Sequence, residues 1–154
     1  MKNDFQKKAN SLKRALKHIA KKFKLDFTNE KIDSFGINIT LKNQTTGVKC
    51  LFSPREGKGW IVEIGRLKDG NFPEHPIFIK KDTKIEFFNL RDIAILRIKY
   101  IPELEKNIKN GASFNSESIP YLLENCCADL LEGDFNIFKD LDFLIKNRVL
   151  SKEA

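Results

Sequence analysis

Phe35-Gly36-Ile37-Asn38-Ile39-Thr40-Leu41-Lys42 is the stretch on which the fold turns. Its apolar residues recur at every second position, with Gly36, Asn38, Thr40 and Lys42 between them, which is the period of a strand with one buried face. Upstream the period is that of a helix. Phe5, Ala9, Leu12, Leu16, Ile19 and Phe23 are spaced to align on one stripe of an α-helix over residues 5–23. Downstream, the polar run from Asn43 to Gly47 reads as a turn, followed by a second alternation at Val48, Cys50 and Phe52. A loop from Pro54 to Gly59 leads to a third at Trp60, Val62 and Ile64. Beyond the Gly- and Pro-punctuated segment Lys68 to Pro76, two short apolar runs, Ile77 to Ile79 and Ile85 to Phe88, flank a charged turn from Lys80 to Thr83. A meander of about five antiparallel strands is predicted across residues 33–88.

The helical period returns after residue 90. Asn89 and Asp92 look like a helix start, whereas Ile95 to Ile101 is β-branched and partly alternating; the helical reading is preferred. Pro102 then begins a short helix that Gly111 can end. Ile119, Leu122, Leu123, Cys126, Cys127, Leu130 and Leu131 describe a wide apolar stripe on one helix, with Ser118 and Pro120 as its start signal. Gly133 is expected in the left-handed conformation beyond that helix. Asp134 is expected to cap the next one, whose apolar face is Ile137, Phe138, Leu141, Leu144 and Ile145. The expectation is a single α+β domain over residues 1–154. It consists of a basic amphipathic helix at 1–25, the meander at 33–88 and a helical part at 90–150 packed on the sheet.

Charge is distributed unevenly along this chain. The first 25 residues hold nine cations against Asp4 alone, a local +8 in a chain whose total is +7, whereas residues 103–145 hold nine acids against three lysines. Such polarity points to a charged partner or to pairing within the molecule. No stretch approaches the roughly 20 apolar residues that cross a bilayer, and the basic N-terminus precedes no signal-like apolar run, so a cytoplasmic protein is expected. Three cysteines, two of them adjacent, suit a reduced compartment and have no zinc-ligand spacing.

Catalytic signatures are missing from the sequence. His18 and His75 lie in separate elements without a neighbouring Cys, and Cys126 and Cys127 sit within an apolar stripe, where a thiol packs as a small hydrophobe. Phosphate-loop, dinucleotide-loop and nucleophile-elbow patterns do not occur. Arg55, Glu56, Glu63, Arg66 and Asp69 cluster around Trp60, and ion pairing on a sheet surface accounts for them better than acid–base chemistry. A non-enzyme without cofactor or metal is therefore expected.

Two charged faces remain as candidate sites. On the helix after Ser118, Tyr121, Glu124, Asn125 and Glu132 oppose the apolar stripe, flanked by Glu117 and Asp129; an exposed tyrosine ringed by carboxylates is a protein-interface composition, or else an ordinary solvated face. On the N-terminal helix, Lys7, Arg14, Lys17 and Lys21 form a basic face suited to nucleic acid or another anionic surface, or to pairing with the acidic helices.

The strand Trp60-Ile61-Val62-Glu63-Ile64-Gly65-Arg66-Leu67, its turn Lys68-Asp69-Gly70, and the corner Leu130-Leu131-Glu132-Gly133-Asp134-Phe135 with its closing helix resemble small bacterial immunity-type proteins of toxin/immunity loci, including contact-dependent inhibition systems. The likeness covers about the last two thirds of the chain. It implies stoichiometric binding of a cognate toxin domain in the cytosol without catalysis, and it assigns no functional residue. The basic N-terminal helix departs from the acidic surface expected of a nuclease inhibitor.

Overall fold

The structure, a computed structural model, describes residues 2–55, 59–108 and 114–150. Helix α1 (Lys2–Lys22) buries its entire predicted stripe, with Leu12 and Leu16 fully enclosed and Phe5 and Phe23 nearly so. The helix ends where the Leu25 amide donates to the Ala20 carbonyl at 2.8 Å, with Lys24 left-handed at φ 58°. Five strands follow: β1 (Asp26–Asp33), β2 (Gly36–Lys42), β3 (Thr46–Phe52), β4 (Ile61–Arg66) and β5 (Phe87–Asn89). They form one antiparallel sheet whose spatial order is the chain order.

Alternation gives the sheet two different faces. Ile37, Ile39, Leu41, Val48, Cys50, Val62, Ile64 and Phe88 point to the helices and are buried. The opposite face is partly roofed by the segment after β4, where the Phe72 ring lies over Gly47 and Gly65, which pair across β3 and β4. A Cβ at Gly47 would stand 2.8 Å from that ring, so the two glycines make the close approach possible. Lys49 Nζ sits 4.5 Å above the same ring, and the His75 ring packs 4.2 Å from Phe87.

The helices occupy the other side. Helix α2 (Leu90–Arg97) lies on β4 and β5, and α1 lies on β1 and β2. Helix α3 (Ser118–Cys126) spans α1 and α2, followed by the single turn α4 (Ala128–Leu131) and by α5 (Phe138–Leu150), which rests on α2. A 3₁₀ turn, Pro102–Asn107, separates α2 from α3. The protein is thus α+β, an N-terminal helix and C-terminal helices on a five-stranded antiparallel sheet.

Several boundaries differ from the sequence expectation, each for a physical reason. Strand β1 begins at Asp26, ahead of the meander predicted from residue 33. It occupies the sheet edge with its first six residues exposed, so it carries no alternation to read. Ile77 to Ile79 is not a strand; Ile77 and Phe78 face solvent at 90% and 75% exposure, and the fifth strand is the short β5. Phe35 stands in the β1–β2 turn, exposed, instead of opening a strand. The ambiguous segment after Asn89 is the helix α2, with Asn89 Oδ1 accepting from the Arg91 amide at 2.8 Å.

The helix predicted as continuous to Glu132 breaks at Cys127, whose φ and ψ of −125° and 8° leave the helical region. Its start is fixed by Asn115, whose Oδ1 accepts from the Glu117 and Ser118 amides, and not by Ser118 acting as a cap. Gly133 is left-handed at φ 94°, as expected. Asp134 does not cap α5, which begins four residues later; its carboxylate accepts from the Asn136 amide in a local turn. Glu56 and Gly111 lie outside the described residues.

Candidate functional site

The acidic face divides into residues bound to the protein itself and residues left outward. Glu124 accepts from Lys22 Nζ at 2.7 Å, which ties α3 to α1 and holds its carboxyl below the usual range. Asp129 receives both arms of Arg97, at 2.8 and 2.6 Å. Burial pushes the Asp129 carboxyl up, but the two charge-assisted bonds outweigh it and the net displacement is downward. The same guanidinium donates to the Cys126 carbonyl at 2.7 Å, a group that the break at Cys127 deprives of its helical partner. Arg97 therefore fills the gap between α3 and α4. Sequence reading missed it because a C-terminal arginine on α2 looks like ordinary dipole complementation.

Tyr121 and Asn125 occupy successive turns of the outward side of α3, Glu117 is exposed just before that helix, and Glu132 is exposed just beyond α4. The Asn125 amide donates to the Tyr121 carbonyl at 2.8 Å, and the Tyr121 ring is 36% exposed. Apart from this ridge, Asp129 and Arg97 form part of the wall of a cleft of about 910 Å³ between the end of α2 and α5. Tyr100 and Phe143 rim that cleft, exposed at 74% and 69%. Phe143 was legible in principle, being an aromatic residue off the apolar stripe of its own helix.

The basic face is arranged differently. Lys7, Arg14, Lys17 and Lys21 are all exposed, and none of them forms an ion pair among the described residues. The cations on the flanks of the helix are engaged instead: Lys13 with Glu30 of β1 at 2.6 Å, Lys22 with Glu124, and Lys8 over the Phe52 ring at 4.3 Å.

The cluster near Trp60 is dispersed. Glu63 is buried on the roofed face of the sheet, 3.4 Å from His75 Nε2, while Arg66 stacks over Phe135 and Asp69 lies in an exposed turn. All three cysteines are free and buried; burial pushes the Cys50 thiol up to about 12 and the Cys127 thiol upward as well, which keeps both protonated. Among the described residues no group of three or more His, Cys, Asp or Glu side chains converges to hold a metal ion, and no helix is long and apolar enough to cross a membrane. No protein-family model, curated protein or solved structure matches this chain.

Proposed function

We propose that this protein is a non-catalytic binding module that recognises another protein, an immunity-type inhibitor that occludes a bacterial toxin domain in the cytoplasm. The observation that carries the reading is the cleft between the end of α2 and α5, which two strongly exposed aromatic rings line; a third exposed ring lies on α3. Tyr121 stands on the α3 ridge, and Tyr100 and Phe143 stand at the cleft that begins at Asp129. Aromatic anchors bordered by polar and acidic groups are the composition of protein interfaces. The two-armed Arg97–Asp129 pair fixes one wall of that cleft. The resemblance in the Trp60 strand and the Gly133 corner supplies the toxin as the kind of partner.

The test is whether a reading frame for a toxin domain adjoins the gene of this chain and, with that domain produced, whether it binds in calorimetry; a neighbourhood without such a frame counts against the reading. Tyr121→Ala and Tyr100→Ala should each weaken binding by more than about 1 kcal/mol. Glu117→Lys with Glu132→Lys should slow association from a basic partner surface while the melting transition stays in place. Glu124 is unsuitable for that reversal because Lys22 already holds it. Absence of binding, or unchanged affinity in all these variants, would overturn the reading.

A further inference from the structure

The four cations Lys7, Arg14, Lys17 and Lys21 lie at i, i+7, i+10 and i+14 of one helix, which at 1.5 Å per residue sets a row about 21 Å long within a sector of about 80°. No acid interrupts the row, because Asp4 is the sole acidic residue of α1 and precedes Lys7. Acids from β1 and α3 reach the flanks, at Lys13 and Lys22, and stop there. Among the described residues, the crest is the part of the basic helix that forms no ion pair, which leaves it open to an anionic partner.

The rest of the helix narrows the choice of partner. Phe5, Ala9, Leu12, Leu16, Ile19 and Phe23 are committed to the core, so α1 cannot lay an apolar face into a bilayer without opening the domain. The crest also lacks a Phe, Tyr, Trp or aliphatic anchor of the sort that makes a protein interface tight, His18 being its one ring. What remains is charge in a straight line. Duplex nucleic acid offers about one negative charge per 1.7 Å of axis, so a row of about 21 Å faces a continuous anionic lattice and needs no exact register.

We propose that the crest of α1 is a docking surface for the phosphate backbone of nucleic acid, engaged without regard to base sequence. With a single imidazole, His18, and no Phe, Tyr, Trp or groove-reading element on that crest, the contact is chiefly electrostatic. Its residues do not overlap the aromatic surface assigned to a protein partner, so either reading stands without the other.

Fluorescence anisotropy of the full chain on a labelled duplex of about 20 base pairs, titrated between 50 and 200 mM salt, tests the assignment. Four phosphate contacts predict a slope of about −3.6 in log affinity against log salt, roughly a 100-fold loss across that range. Arg14→Gln, Lys17→Gln and Lys21→Gln combined should lower affinity at least about tenfold at 50 mM and reduce the slope to about −1. Lys13→Gln with Lys22→Gln should leave the slope near the parent value, and circular dichroism confirms that each variant folds. No saturable binding at 50 mM salt, or equal binding by the triple variant, overturns the proposal. So does stronger capture by phosphatidylcholine vesicles containing about one third phosphatidylserine than by the duplex, which would make a lipid surface the partner.

Discussion

Helix α1 and the α3–α4 segment lie against each other and carry opposite charge, yet the charge is placed in opposite ways. On α1 four cations stand on the crest without an ion pair among the described residues, and the helix is held by its apolar stripe, with bridges only at its flanks, Lys13–Glu30 and Lys22–Glu124. On α3 and α4 two of the acidic residues are joined to α1 and α2, and one of those bonds sits at the break that shapes the corner. A charged face in sequence can therefore be a surface or a fastening. Which of the two it is depends on whether a neighbouring element brings a counter-charge within reach.

Arg97→Ala is the most direct way to break the contrast. It leaves Asp129 and the Cys126 carbonyl without their donor at sites less than a third exposed, and should destabilise the fold by about 2 to 3 kcal/mol. The melting temperature should fall by about 5 to 10 °C. Asn43→Ala comes next. Asn43 Nδ2 donates to the Phe23 and Leu131 carbonyls at 3.1 and 2.8 Å, so one side chain joins the end of α1, the β2–β3 turn and α4. Its loss should amount to about 1 to 2 kcal/mol in urea unfolding.

The Arg97–Asp129 pair also sharpens the comparison through pH. The folded Asp129 carboxyl titrates below its unfolded value near 3.9, so the unfolded chain binds more protons in that interval. Its contribution is fully present above about pH 4 and is lost as the pH falls through the folded value. Arg97→Ala should flatten this acid-side slope of stability against pH, and an unchanged slope would show that the pair contributes no linkage. The smallest effect is expected for Lys22→Gln. The Lys22–Glu124 bridge is exposed on both sides, and its removal should change the melting temperature by no more than about 1 to 2 °C.

The same distinction explains what could be read in advance. The α1 stripe, the alternation of β2 to β4 and the left-handed Gly133 were legible because apolar spacing and glycine geometry are local properties. Strand β1 was not, because an edge strand with polar residues on both sides is defined by its partner β2 and leaves no period in its own residues. The break at Cys127 was equally hidden: the apolar spacing runs straight through it, and the residue that accommodates it, Arg97, lies 29 positions from the Cys126 carbonyl it binds. Of the candidate residues, Glu117, Tyr121, Asn125 and Glu132 remain outward, while Glu124 and Asp129 are bound within the molecule. Only the fold could separate the two sets.

Because the sheet is laid down in chain order, its first pairings close through very short connections, two residues between β1 and β2 and three between β2 and β3. Such closures carry little loop entropy and allow the sheet to assemble from its N-terminal side as the chain is synthesised. Helix α1 is made before any of it, but its neighbour α3 arrives about a hundred residues later, the separation spanned by the Lys22–Glu124 contact. For that interval part of the α1 stripe has no cover. The like charges of its other face, with no acid between them, oppose association of such chains through the open stripe until α3 arrives.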